Sequence, residues 1–203
     1  MIFDQFLEYM EMGGSIMWII LALSVLAITI VIERIIFFAF SSASLKKLEA
    51  AFNESISKDG VPSLAAPGRT PLHRLFFAAC ECWELNDETL EAKLQREMRG
   101  DLYRWERRLP LLEAIARVAP LLGLLGTVLG MVEMFSSMSV GGGINARAVT
   151  DGIWKALLTT VAGLSVAIPV SLAHSFLLGI VDKQEEILER GAGFIMDKRA
   201  KDQ

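Results

Sequence analysis

Two apolar stretches decide the fold of this chain: APLLGLLGTVLG at residues 119–130 and ALLTTVAGLSVAIP at residues 156–169. Each stretch places threonine hydroxyls among Gly and Ala, inside a longer run of Leu, Val and Ile. A segment that only anchors a protein in lipid can be Leu and Ile throughout, whereas small residues let helices pack closely and hydroxyls suit a polar surface. We therefore predict two transmembrane helices that pack closely and surround a path for ions.

The composition indicates an all-α integral membrane protein. The 203 residues are 53% hydrophobic, and their mean hydropathy is +0.43. Crossing a hydrocarbon core takes roughly 20 apolar residues of helix, and we predict transmembrane helices at 14–38, 117–138 and 152–181. Acidic and basic residues are interleaved elsewhere, and no basic stripe with aromatics suggests a nucleic-acid partner.

The placement of Lys and Arg predicts the orientation. Residues 1–15 contain none and the short segment 139–151 contains one, whereas 41–110 contain eleven and 182–203 contain five. Positive charge favours the cytoplasmic side. We therefore expect a periplasmic amino terminus and a cytoplasmic carboxyl terminus in a multi-pass protein of the bacterial inner membrane.

The regions between the predicted spans also have expected structures. We predict an amphipathic helix on the outer interface at 1–12, a cytoplasmic helical region at 41–116, a periplasmic loop at 139–151 and a cytoplasmic helical tail at 182–203. Helices that overshoot the bilayer in this way predict long cytoplasmic helical extensions.

Inside the cytoplasmic region we predict helices at about 44–57, 71–84 and 87–109, with a loop at 58–71 that is rich in Gly and Pro. The last helix begins at a cap formed by Asn86 or Asp87. We expect it to continue into the second span, with adjustments at Pro110 and Pro120, and we expect the third span to continue until Gly191 and Gly193 weaken it.

Small or hydroxylated residues recur at spacings of three and four along both apolar stretches, so each set shares one helical face. The residues are Gly123, Thr127 and Gly130 on the second span, and Thr160, Gly163 and Ala167 on the third. One interpretation is plain helix packing, in which a Thr bonds back to its own helix. The other is a polar channel wall. The spacing leaves both open, and neither stripe has a residue able to carry a proton at mid-membrane.

The two stretches together resemble the MotA/TolQ/ExbB proton-channel family. The resemblance rests on GLLGTVLGM at residues 123–131 and on the pattern GIxxALLTTxxGLxVAIP at residues 152–169. It is greatest to the ExbB branch, on residues 115–123, with TolQ as the alternative because both branches share the threonine motifs. MotA fits less well, because flagellar stators have a fourth span.

This resemblance implies a homopentamer around a central pore that encloses an ExbD- or TolR-like single-span partner. The partner supplies a protonatable Asp, and proton flow energises a TonB-like protein. By match, Thr127 and Thr160 face the pore, together with Gly123, Gly130, Gly163 and Ala167. The remaining alternatives are a TolQ-like subunit of the Tol–Pal system and a non-conducting membrane scaffold.

We expect no enzyme, cofactor or metal site, since the sequence shows no nucleophile–base pair, metal-ligand cluster or phosphate loop. Cys80 and Cys82 lie in the predicted cytoplasmic region, where we expect reduced and inert thiols.

Four charged residues have expected roles. Lys155 stands where better-known family members tend to carry Glu. Glu133 and Lys155 lie at a similar depth, roughly 8–9 Å outward of their threonines, so they either form an outer ion pair or reach the interface separately. Arg34 and Arg117 are expected to mark the cytoplasmic boundary and to meet lipid phosphates.

Overall fold

The computed structural model of the protein describes residues 2–39, 45–59, 70–140 and 146–202. Within these ranges the chain forms six helices: α1 Ile2–Ala39, α2 Leu45–Asp59, α3 Pro71–Glu81, α4 Asp87–Glu106, α5 Leu109–Val140 and α6 Ala146–Asp202. Most of the predicted loop at 58–71, and the middle of the predicted loop at 139–151, lie outside the described residues.

Three helical regions are long and apolar enough to cross a membrane. They are Glu8–Ala39, Asp87–Ser136 and Val149–Lys201. The first and third contain the predicted spans 14–38 and 152–181, and the second contains all but the last two residues of the predicted span 117–138. The prediction of an all-α protein with three long apolar helices is confirmed.

The chain divides into two compact units. The first comprises Met1–Glu33 and Arg108–Ser175, and the second comprises Arg34–Arg107 and Phe176–Gln203. The first unit therefore contains both threonine-bearing stretches, and the second contains α2, α3, α4 and the carboxyl-terminal part of α6.

A kink at Gly14 divides α1 in the first unit. The φ of Gly14 is 66°, a left-handed value that glycine adopts at little cost, and it interrupts the helical geometry. The amino-terminal segment is thus a helix distinct from the apolar one that follows. Its location at the outer interface stays a prediction.

The helical path from α4 into α5 is interrupted close to Pro110, where an adjustment was predicted. Helix α4 ends at Glu106, and Arg108 adopts a left-handed φ of 78° before α5 begins at Leu109. Pro110 consequently lies in the first turn of α5, where its missing N–H removes no helical hydrogen bond. Pro120 does lie inside α5, which continues past it to Val140.

Aromatic packing organises the second unit. Phe52 of α2 is fully buried, and its ring centroid lies 5.1 Å from that of Phe76 and 5.5 Å from that of Trp83, both edge-on. Phe194 of α6 lies 6.4 Å from Phe52. The predicted cap of α4 is confirmed, since the Asn86 side chain accepts a hydrogen bond from the backbone N–H of Thr89.

Helix α6 does not weaken at its glycines, because Gly191 packs against α3. A Cβ added to Gly191 would lie 2.9 Å from Leu72 Cδ1 and 3.5 Å from Leu75 Cδ2. The helix runs on through Gly193 to Asp202. A glycine that seemed to be a helix breaker is therefore a packing position.

We predict that Gly191→Leu lowers the free energy of unfolding by about 1–3 kcal/mol, because the new side chain overfills the contact with α3. The matched control is Gly179→Leu on the same helix, where an added Cβ meets nothing within 4 Å. Thermal unfolding of the purified protein in detergent compares the two. Equal stability of both variants would contradict this packing role.

Candidate functional site

Helices α5 and α6 approach each other closely enough for their backbones to touch. A Cβ added to Gly163 would lie 2.6 Å from the carbonyl oxygen of Ala119, and one added to Gly123 would lie 2.9 Å from that of Thr159. A Cβ on Gly126 would lie 2.5 Å from Thr159 Oγ1. Only glycine fits at such distances, so this glycine seam determines the spacing of the two helices.

The seam continues toward the end of the pair that carries Glu133. A Cβ added to Gly130 would lie 3.2 Å from the carbonyl oxygen of Gly152, and one added to Gly152 would lie 2.8 Å from Met134 Cβ. Small residues on both helices therefore keep α5 and α6 in contact over several turns.

Four of the residues that were predicted to line a pore are buried within a single chain. Gly123, Gly130 and Gly163 are buried in the seam, and Ala167 is only 6% exposed. Their place in a pore lining stays a prediction. Close packing and a channel wall use the same spacing of small residues, and for these four positions the structure shows burial inside the chain.

The two adjacent threonines of α6 occupy different environments. Thr159 is fully buried; its Oγ1 donates to the carbonyl oxygen of Ala156 at 2.9 Å and lies 3.3 Å from that of Gly123. Thr160 is half-buried, and its Oγ1 lies 3.4 Å and 3.5 Å from the same two oxygens. Thr159 is thus a packing residue, and the longer hydrogen bonds of Thr160 are weaker.

Thr127 of α5 resembles Thr160 in exposure. Its side chain is half-buried, and its Oγ1 donates to the carbonyl oxygen of Leu124 at 2.7 Å. Both threonines that were predicted to face a pore therefore keep part of their side chains accessible, although the backbone of Thr160 lies in the seam against Gly123.

The structure brings Glu133 and Lys155 together. Lys155 Nζ lies 2.5 Å from Glu133 Oε2, between residues 22 positions apart on α5 and α6. The Lys155 side chain is 25% exposed and that of Glu133 is 64% exposed. The two side chains therefore form the ion pair and do not reach the interface separately. The location of the pair at the outer end of a pore stays a prediction.

A cavity of about 530 Å³ surrounds this pair. It is lined by Met12, Gly130, Glu133, Met134, Asp151, Gly152, Trp154 and Lys155. The Lys155 ammonium also lies against the kink of α1, since a Cβ on Gly14 would lie 3.3 Å from Nζ. Asp151 and Gly14 were not among the predicted site residues, although a glycine at the start of an apolar helix can signal such a close approach.

Arg34 is buried against the end of α4, and its predicted contact with lipid phosphates stays a prediction. It is 4% exposed, and its Nη1 donates to the backbone oxygens of Arg104 at 3.1 Å and Trp105 at 3.2 Å. The last carbonyls of a helix lack partners in the helix, so Arg34 caps the carboxyl-terminal end of α4. Arg117 is exposed and pairs with Glu113 one turn earlier; its contact with lipid stays a prediction.

Comparison with known proteins places both threonine stretches inside one family pattern. The sequence pattern of the MotA/TolQ/ExbB proton channel family matches residues 68–190. The match includes α3, α4, α5 and most of α6, and so it contains the seam, the half-buried threonines and the ion pair.

Individual relatives carry the same family name. A biopolymer transport ExbB homolog of Methanothermobacter thermautotrophicus is 31% identical over 92% of this chain and 68% of its own length. An ExbB-like protein of Synechocystis is 31% identical over 90% of both chains. The biopolymer transport protein ExbB of Helicobacter pylori is 44% identical over 36% of this chain and 50% of its own length.

We predict that Gly126→Ala destabilises the first unit by about 1–3 kcal/mol, because the added methyl group would overlap Thr159. Leu125→Ala is the control, since Leu125 is adjacent and 45% exposed. Thermal unfolding in detergent gives the comparison. If Gly126→Ala proved as stable as the unmodified protein, the tight seam would be refuted.

We predict that Glu133 and Lys155 stabilise each other by about 0.5–1 kcal/mol, a modest energy because Glu133 is largely exposed. A double-mutant cycle with Glu133→Gln, Lys155→Met and the combination measures the coupling. Removing one partner should cost more than removing both, because it leaves the other charge unpaired. Purely additive losses would rule the coupling out.

Proposed function

Because the chain belongs to the MotA/TolQ/ExbB proton channel family, we propose that it is an ExbB-like motor subunit of the inner membrane. Its partner is an ExbD- or TolR-like single-span protein that carries a protonatable Asp. Together they use the proton motive force to drive a TonB-like protein, and so energise transport across the outer membrane.

The observation that carries this proposal is the different placement of the threonines. Thr159 and the seam glycines serve packing inside the chain, whereas Thr127 and Thr160 remain partly accessible. A hydroxyl that donates to a backbone carbonyl still has lone pairs that can accept a hydrogen bond. The two hydroxyls could therefore orient water or a protonated carboxyl group of the partner.

The proton carrier must come from another chain in this mechanism. Between Arg117 and the end of α5 the only acidic residue is Glu133, and residues 152–181 of α6 contain none. Glu133 already binds Lys155. A charge in mid-membrane requires a polar and enclosed setting, which a partner helix surrounded by several copies of α5 and α6 would have.

We propose a homopentamer with Thr127 and Thr160 turned toward the enclosed partner. The glycine seam makes α5 and α6 of each chain one closely packed pair. Apolar side chains on the outside of that pair, such as Leu121 at 63% and Leu124 at 58% exposure, are then free for lipid or for neighbouring copies.

Two alternatives remain. A TolQ-like subunit of the Tol–Pal system would use the same threonines with a different final partner. A non-conducting scaffold is favoured by one observation, the use of the seam glycines for packing, and it assigns no role to the accessible hydroxyls. The threonine variants below separate conduction from scaffolding.

We predict that Thr127→Val and Thr160→Val each leave assembly intact but lower proton-driven uptake at least about tenfold, since the nearly isosteric change removes a hydroxyl from the proton path. The control is Thr29→Val in α1, because Thr29 is exposed and its hydroxyl also donates to a backbone oxygen of its own helix, that of Val25 at 2.7 Å. Complementation of energised uptake, with co-purification of the partner as the test of assembly, gives both readouts.

Full uptake by both threonine variants would overturn the proton-path assignment and support a scaffold. Loss of uptake in Thr29→Val to the same degree would show that the effect is a general one on helix packing. Co-purification with a partner of the TolR kind, and rescue of Tol–Pal function alone, would assign the chain to the TolQ branch.

A further inference from the structure

A groove lies between α4 and α6 in the second unit. Its volume is about 600 Å³, and it is lined by Glu91, Leu94, Gln95, Met98, Glu189, Ala192, Gly193 and Met196. Leu94 is buried at its floor. Gly193 opens into free space, since an added Cβ would meet nothing within 4 Å.

The two helices of the groove carry the same pattern of charged and apolar side chains. Arg199 of α6 pairs with Asp87 at the start of α4, at 2.9 Å, so the two helices run antiparallel along the groove. Each helix carries a Glu and a Met seven residues apart: Glu91 with Met98, and Glu189 with Met196. Each end of the groove therefore has one carboxylate and one thioether, roughly 10 Å from those at the other end.

The exposed side of α4 carries a complementary pair at the same spacing. Arg96 and Tyr103 are also seven residues apart, and Tyr103 is 74% exposed. Arg96 is exposed and forms no ion pair with any residue that the structure describes. Arg99 differs, since it donates to Gln95, which in turn donates to Glu91 at the rim of the groove. Exposed Arg and Tyr residues are typical of protein interfaces.

We propose that the groove of one chain receives the Arg96–Tyr103 edge of a second copy of this chain. Arg96 pairs with the carboxylate at one end, and the ring of Tyr103 packs on the methionine at the other, a favourable sulfur–aromatic contact. Gly193 and Ala192 leave room for the approaching helix. The charges are complementary and the spacing is the same on both sides.

This contact joins two different patches of the chain. At 3.6 residues per turn, the groove side of α4 and the Arg96–Tyr103 edge lie roughly 140° apart around the helix axis. Two different patches that meet head to tail form a ring when their rotation closes. This inference rests on the proposed oligomer and assigns the contact between its members.

The test is cross-linking in native membranes between two differently tagged chains in a Cys80→Ala/Cys82→Ala background. One chain carries Gly100→Cys, which lies between Arg96 and Tyr103 on α4 and has no atom within 4 Å of an added Cβ. The other carries Gly193→Cys in the groove. A short bis-maleimide should link the two chains at least about tenfold more than the control pair Lys183→Cys and Gly193→Cys, since Lys183 is exposed and lies in the same predicted cytoplasmic tail.

Charge reversal gives a second readout. Glu91→Lys together with Glu189→Lys in the groove chain should lower the cross-linked yield about fivefold, and Arg96→Glu in the other chain should restore it. Glu91, Glu189 and Arg96 are exposed, so we expect these substitutions to leave the fold intact.

Native mass spectrometry of the same preparation distinguishes failure of this contact from failure of the proposed pentamer. Two results with multimers present would overturn this contact but leave the oligomer. One is a cross-linked yield no higher than that of the control pair, and the other is a yield that neither charge change alters. Monomers alone would overturn the contact and the proposed pentamer together. Links between two copies of the Gly100→Cys chain would show a twofold contact and overturn the head-to-tail arrangement.

Discussion

The first unit depends on the contact between the backbones of α5 and α6. Gly163 lies so close to the carbonyl of Ala119 that no side chain fits between them, and Gly126 leaves the space that Thr159 fills. Because lipid offers no hydrophobic drive for helices to associate, close contact and interhelical hydrogen bonds must hold them together. The seam meets that need, and it also determines which hydroxyls stay accessible.

Cations connect different helices in both units. Lys155 binds Glu133 beside the kink of α1 in the first unit. In the second, Arg34 caps α4 at its last carbonyls, and Arg199 binds Asp87 and the carbonyl of Leu85 at the beginning of that helix. A guanidinium has several donors in one plane, so Arg34 can bind two of the carbonyl oxygens that lack helical partners at the carboxyl-terminal end of α4.

Small and polar residues have different roles in α5 and α6, and this difference matters for proton conduction. A proton path needs accessible polar groups on a rigid support, and a seam of glycines is such a support. Thr127 and Thr160 lie beside it, with hydroxyls bonded to backbone oxygens of the same two helices. The chain thus combines a well-packed pair of helices with two accessible hydroxyls, while the proposed partner would carry the charge that moves.

The sequence by itself determined the all-α class, the three apolar helices, the cap at Asn86 and the family, because hydropathy, capping and motif spacing are local patterns. Only the tertiary structure decided which neighbour each residue meets. Packing and channel lining call for the same small residues at the same spacing, so the burial of Gly123 and the difference between Thr159 and Thr160 could not be read from the pattern. The same holds for Arg34 and Gly191, whose roles depend on a carbonyl of α4 and a leucine of α3 that are distant in the chain.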